Sequence, residues 1–192
     1  MNEFTNRVLE YGNFNKRELL QTFGTFVVTP EKQEIFEICK GFDKDKWCFL
    51  LGNTGVGKDH LASAMARQLV DDGKIRSVYS GTSQQLMYKF RQIAYEGEGE
   101  MAALNFFGKV GLLILRDVGI RQFTEKEKAA IIDILDYRYS NMKGIIITGN
   151  INAGEFSKTF DERITDRLYE MGIRHNNKPF LTCAWESWRK QL

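Results

Sequence analysis

At 192 residues, 43% hydrophobic and 27% charged, the chain has the size and make-up of one globular domain with a full core. A formal net charge of +2 is too small to argue for nucleic acid, so that case rests on local clusters. Three cysteines (Cys39, Cys48, Cys183) and two distant histidines lack metal-ligand spacing, which points to free thiols in a reducing cytoplasm and away from zinc. No apolar run approaches the roughly 20 residues of a membrane span, and the opening residues do not read as a signal peptide.

Residues 1–22 carry Phe4, Val8, Leu9, Tyr11, Phe14, Leu19 and Leu20 among charges. This pattern predicts one or two short amphipathic helices, interrupted near Gly12. Such an arm either packs on the main core or docks a partner; the crowding of aromatic and apolar residues at a terminus favours docking. Residues 22–28 read as an extended approach. A helix then starts at Thr29-Pro30-Glu31, with Thr29 as N-cap and Pro30 at the first helical position.

The run 47–51 is apolar throughout, as a buried parallel strand requires. Directly after it come Gly52, Asn53, Thr54, Gly55, Val56, Gly57, Lys58, Asp59 and His60, and then a helical stretch over 61–70. Strand, glycine-rich loop and helix form the context of a phosphate-binding P-loop, and the spacing G-x-x-x-x-G-K is complete. Glycines let the loop turn its N–H groups inward, the helix adds the positive end of its dipole, and Lys58 reaches the outer phosphates. Asp59 stands where Ser or Thr ordinarily holds Mg²⁺.

Further strands are predicted at 76–80, 110–115, 144–148 and 180–184. Between them lie helices at about 83–95, 102–107, from Thr124 with Glu127 as a capping box, from about 153, and from about 161 with Ile164 and Leu168 inward. The alternation predicts an α/β fold: a five-stranded parallel sheet with helices on both faces and little or no separate lid domain.

This ordered set resembles the AAA+ ATPases of the DnaC/DnaI helicase-loader group and, less closely, the IstB transposition helpers. The resemblance covers about residues 20–192 and divides the chain into a helical arm, 1–22, and an AAA+ nucleotide-binding domain, 23–192. It rests on Gly57-Lys58-Asp59-His60-Leu61-Ala62, the strand end Thr148-Gly149-Asn150, the helix Asp161-Glu162-Arg163-Ile164-Thr165-Asp166-Arg167, and the ending Trp185-x-x-Trp188-Arg189. Loaders often carry Asn-His-Leu-Ala after the lysine.

The resemblance implies ATP or ADP as ligand and Lys58 as a phosphate contact. It implies Asn150 as the sensor that positions water and Arg189 as the second sensor. Arg163 and Arg167 would lie at a subunit boundary, where Arg167 is the better candidate for an arginine finger and the face one of self-association. Read without the family, the two arginines pair along their own helix with Asp161, Glu162 or Asp166.

At the third strand end the family has Asp-Glu, and this chain has Arg116-Asp117. With Val118-Gly119 aligned, Asp117 takes the place of the catalytic Glu, as a shortened base, and Arg116 that of the metal-orienting Asp. Alternatively the strand slips by one residue and Asp117 takes the metal role, at the cost of turning alternate side chains to the wrong face. Two arrangements follow for the metal site. Either Asp59 and Arg116 form an ion pair where Mg²⁺ would be held, with slow or absent hydrolysis, or Arg116 points to solvent and Asp59 still reaches Mg²⁺.

Tyr88, Lys89, Phe90 and Arg91 sit together on one helix, the region that in this family contributes to a single-stranded DNA channel. Read alone, Leu86 and Phe90 are core and Lys89 and Arg91 a solvated face. The resemblance implies an ATP-binding replicative helicase loader acting in DNA replication in the cytoplasm, with a helicase or host loader and single-stranded DNA as partners. Only about 20 residues precede the core here, where loaders have a larger extension that grips the helicase; this brevity would fit a phage or mobile-element version. The alternatives are a hydrolysis-deficient adaptor on the same fold or an IstB-like transposition helper.

Overall fold

Strands that are apolar at every position need cover on both faces, and helices supply it here. The computed structural model describes residues 2–96, 99–119, 122–152, 154–155, 158, 160 and 162–187. In chain order its elements are α1 (Glu3–Tyr11), α2 (Pro30–Lys40), β1 (Trp47–Gly52), α3 (Lys58–Asp71), β2 (Val78–Thr82), α4 (Ser83–Glu96), α5 (Glu100–Lys109), β3 (Leu112–Val118), α6 (Glu125–Ser140), β4 (Gly144–Gly149), α7 (Glu162–Met171) and β5 (Leu181–Cys183). The strands pair in parallel in the order β2-β3-β4-β1-β5, the five-stranded parallel sheet that the alternation predicts. No helix among the described residues is long and apolar enough to cross a membrane.

Period-two alternation divides the core. Cys48, Leu50, Leu112, Ile114, Ile146 and Leu181 face α1, α2 and α3, where they meet Leu9, Ile35, Leu61 and Met65. Trp47, Phe49, Leu113, Leu115, Ile145 and Ile147 face α4 to α7, among Leu86, Phe107, Ile134 and Leu168. Burial of each of these large side chains contributes roughly 1.5–3 kcal/mol, so both faces are needed to hold the sheet.

The N-terminal segment is bound into this body. The Thr5 hydroxyl donates to Asp71 Oδ1 at 2.5 Å, and Arg67 donates to Leu19 O at 2.6 Å and Asn6 Oδ1 at 3.1 Å. Along β2, an edge strand, Ser80 N donates to Gly12 O and Asn13 Nδ2 to Ser80 O, each at 2.8 Å, so the segment covers an otherwise open edge. Phe4, Tyr11 and Leu20 face outward.

Several boundaries differ from expectation for local reasons. Residues 22–28 are not simply extended: Thr22 and Thr25 cap each other around a 3₁₀ turn, Phe23–Thr25. Thr29 stands at the N-cap of α2, but its hydroxyl donates to Glu31 Oε1 at 3.2 Å and makes no capping bond. β2 starts two residues late because Lys74 N and Ile75 N still close the end of α3 onto Leu69 O. β3 does not stop at Leu115; it continues to Val118 through a bulge. The Thr124/Glu127 capping box forms, at 3.1 and 3.3 Å. The helix expected from about 153 lies largely outside the described residues.

Arg138 of α6 is 0% exposed and ties the layers together. Its guanidinium donates to Phe107 O at 2.7 Å, Gly108 O at 3.4 Å, Val110 O at 2.9 Å, Gly111 O at 3.5 Å and Gly144 O at 2.5 Å. These carbonyls end α5 and start β4, so one side chain fixes both. Burial pushes its pKa down to about 9, which leaves it charged at neutral pH. Replacing it strands several buried acceptors. Arg138→Met is expected to cost roughly 3–5 kcal/mol in urea unfolding with an unchanged m-value; a loss under about 1 kcal/mol contradicts this role.

Candidate nucleotide-binding site

β1 ends in a loop that only glycine allows in places. Gly52, Gly55 and Gly57 take φ of 146°, 82° and 98°. A Cβ at Gly52 would lie 2.4 Å from Cys183 O, and one at Gly57 2.8 Å from the Phe26 ring. α3 begins at Lys58, so the loop delivers its N–H groups to a helix N-terminus. Trp185, in the segment after β5, braces the loop: its indole N–H donates to Val56 O at 2.8 Å.

Lys58 is folded back onto the chain. Its ammonium donates to Gly52 O and Asn53 O at 2.7 Å each and to Asn150 Oδ1 at 2.8 Å. Asn150, expected from the family as a sensor, therefore stands against the P-loop lysine. Burial draws the Lys58 pKa down and the neighbouring carboxylate of Asp59 opposes this. The lysine is a cation held by neutral acceptors, which an incoming phosphate can replace.

Asp59 accepts from the Thr148 hydroxyl at 2.7 Å, and the same hydroxyl accepts from Asp117 N at 3.3 Å. Thr148 thus links the P-loop to the bulge of β3. The bulge pairs Leu115 with Ile147 and Val118 with Gly149, and places Arg116 and Asp117 opposite Thr148 alone. Asp117 sits there at φ 58°, a conformation that Asp tolerates better than most residues. An added residue, not a slip of the whole strand, brings Asp117 to the pocket while keeping Val118 inward, so the alternative of a slipped register is the one the structure sets aside.

The ion pair of Arg116 is also different from the one expected. Its guanidinium pairs with Glu18 of the N-terminal segment, not with Asp59, and does not point to solvent. The Arg116 and Glu18 side chains are 12% and 7% exposed. A buried guanidinium needs an anion, and Asp59 is engaged by Thr148.

Two cavities meet at the loop. One, of about 420 Å³, is lined by Thr54, Gly55, Lys58, Asp59, Asp117 and Asn150 and, from the N-terminal segment, by Asn15, Arg17, Glu18 and Gln21. The other, of about 450 Å³, sets the apolar Leu20, Phe26, Val27 and Val56 beside His60 and a polar rim that includes Thr25, Glu31 and Lys32, and suits a flat group with polar edges. Phe26 stacks on Phe36 at 5.8 Å and meets the His60 ring edge-on at 5.2 Å. Nothing in the sequence reading marked Glu18, Arg17, Gln21 or Phe26; the one local signal was Asn15 three places before Glu18, a turn-capping spacing.

The other expected residues lie elsewhere. Arg167 on α7 pairs with Asp136 of α6 and lies over the Tyr139 ring at 4.7 Å, a partner on a neighbouring helix that spacing along α7 does not indicate. Arg163 is on the exposed side of α7. Arg189 lies outside the described residues. Phe90 is core, stacked on Phe107 at 6.4 Å, and is not available to a base. Tyr88, 72% exposed, joins Lys89 and Arg91 along a groove of about 890 Å³ whose other wall includes Tyr11 and Asn13.

Two outcomes check this geometry. Thr148→Val is expected to lower stability by roughly 1–3 kcal/mol in urea unfolding and Thr148→Ser by less; a wild-type value for the valine variant contradicts the bridge. His60 gives a pH signature. Its Nε2 donates to Thr22 O at 2.8 Å, and burial lowers its pKa, so the folded state binds its proton less readily than the unfolded chain. This contribution is present above the ordinary imidazole pKa and is lost as pH falls below about 6.5; His60→Gln should flatten that part of the stability profile.

Comparison with known proteins identifies the architecture. A family model described as IstB-like ATP binding protein matches residues 31–192. The replicative helicase loader DnaC of Escherichia coli K12 is 30% identical over 142 residues, covering 73% of this chain and 55% of that protein. DnaC of Buchnera aphidicola subsp. Baizongia pistaciae is 31% identical over 160 residues, covering 81% and 62%. The chain thus spans little more than half the length of these relatives. Among solved structures, a crystal structure of the DnaC helicase loader aligns with a TM-score of 0.73 at 21% identity, over 90% of this chain and 100% of that one. The replication initiator DnaA bound to AMPPCP and single-stranded DNA aligns at 0.70 and 20% identity, over 90% and 51%. The chain belongs to the IstB-like ATP-binding protein family, with the DnaC helicase loaders among its relatives.

Proposed function

We propose that this chain is the nucleotide-binding core of a replicative helicase loader acting in DNA replication. The observation that carries the reading is the complete P-loop, with Lys58 against Asn150, in a chain 30% identical to loaders named DnaC. ATP or ADP would set its phosphates on the loop N–H groups and Lys58, taking the place of the carbonyls of Gly52 and Asn53. The base would enter the cavity beside Phe26 and His60.

The residues present do not fit an ordinary Mg²⁺ seat. The P-loop hydroxyl is replaced by Asp59, which is hydrogen-bonded to Thr148, and the acid of β3 is replaced by Arg116. Among the described residues no group of three or more acidic, histidine or cysteine side chains is arranged to hold a metal. Asp117 lines the pocket and is the carboxylate of β3 that would face an attacking water. These features favour binding with slow or absent hydrolysis and give weight to a second reading, a regulatory adaptor that engages a helicase or host loader without turnover. The family model equally admits an IstB-like transposition role.

Single-stranded DNA would lie on α4 through Tyr88 and Lys89, with Arg91 turning to it from Glu127, its partner at 3.5 Å in the same groove. Self-association through α7 would require Arg167 to leave Asp136 before it could reach a neighbour's phosphate.

Equilibrium binding of a fluorescent ATP analogue, with turnover assayed with and without single-stranded DNA, tests the reading. Wild type is expected to bind and Lys58→Ala to lose at least about tenfold in affinity. Binding that survives Lys58→Ala unchanged would exclude the P-loop. Fast turnover would exclude the adaptor reading. Failure to co-elute with a replicative helicase in any nucleotide state would exclude the loader.

A further inference from the structure

The phosphate pocket has a wall that the P-loop motif does not supply. Asn15, Arg17, Glu18 and Gln21, from the segment before α2, line it together with Lys58 and the loop. The wall is a preformed turn. Asn15 Oδ1 accepts from Arg17 N at 3.0 Å and Glu18 N at 3.1 Å, and Glu18 Oε2 accepts from Asn15 N at 2.9 Å. That leaves Glu18 Oε1 aimed at Arg116, which it meets. The ion pair is buried but incompletely satisfied. Arg116 Nε and Gln21 Oε1, both shut off from solvent, have no hydrogen-bond partner among the described residues. A pair in this condition is held in place without being optimal.

We propose that Glu18 and Arg116 form a latch that holds residues 15–21 across the phosphate pocket and yields when a nucleoside triphosphate enters. The inference rests on the nucleotide reading above. A triphosphate brings several negative charges into a cavity that the Glu18 carboxylate itself lines. It repels that carboxylate and offers Arg116 another anion, so both halves of the pair lose their preference for each other. Nucleotide occupancy then sets the position of the N-terminal segment, whose Leu20 already faces outward.

Hydrogen exchange on the full chain reads the latch directly. The amides of Leu19, Leu20 and Gln21 are bonded within the turn, to Asn15 O, Arg17 O and Glu18 O. Addition of ATP is expected to speed exchange over residues 15–21 by about tenfold. Glu18→Gln should show that faster exchange without nucleotide and bind a fluorescent ATP analogue at least about fivefold more tightly. ATP that binds wild type while exchange stays unchanged or slows overturns the latch and leaves the nucleotide reading intact. Equal or weaker binding by folded Glu18→Gln also overturns it. If only Glu18→Gln binds, the latch is a complete block and is supported; if neither binds, both readings fall. Should Glu18→Gln fail to fold, the wild-type exchange comparison decides alone.

Discussion

A guanidinium shut away at the carboxyl end of a parallel strand must be met by an anion, and much of this molecule follows from how Arg116 is met. Its partner is Glu18, far away in the chain, presented by a turn that Asn15 caps. The N-terminal segment is thereby drawn across the mouth of the P-loop. The same segment is anchored on its other side where Gly12 and Asn13 bond the edge strand at Ser80. The pair with Arg116 thus joins the bonds of Thr5 to Asp71, of Arg67 to Leu19 and Asn6, and of Ser80 to Gly12 and Asn13 in fixing where the start of the chain lies.

Asp59 replaces a hydroxyl on the P-loop, and a hydroxyl is found instead on β4, where Thr148 donates to Asp59 and accepts from the amide of Asp117. Arg116 on β3 meets its carboxylate on the N-terminal segment, at Glu18. Lys58 keeps its place and is satisfied by two carbonyls and Asn150. The charge of a polyphosphate would fall on Lys58, Arg17, the loop amides and, once Glu18 yields, Arg116.

What was legible in the sequence was local and periodic. The strand–glycine loop–helix of 47–70, the Thr124/Glu127 capping box, and Ile164 and Leu168 on one helix face each depend on neighbours a few residues away. What was not legible depended on the third dimension. Arg116 carries no mark of its partner, because ion pairs between distant segments follow no spacing rule. Arg167 likewise pairs across to α6, where helix-local reasoning searched only its own turn. The bulge at Arg116 and Asp117 arises from the pairing of β3 with β4 and carries no local mark in the sequence. Tyr88 and Phe90, two residues apart on α4, have opposite fates, and the packing of α5 against α4 decides which ring is core.

The measurement that bears most directly on this site is calorimetric titration of the full chain with ATP, once with excess Mg²⁺ and once with EDTA. A pocket that relies on its own cations and lacks a fitted metal seat predicts affinities within about threefold of each other. Affinity that collapses by about a hundredfold or more in EDTA would show that Asp59 and Asp117 hold a metal, and would contradict the reading of Arg116, Glu18 and Thr148 given above.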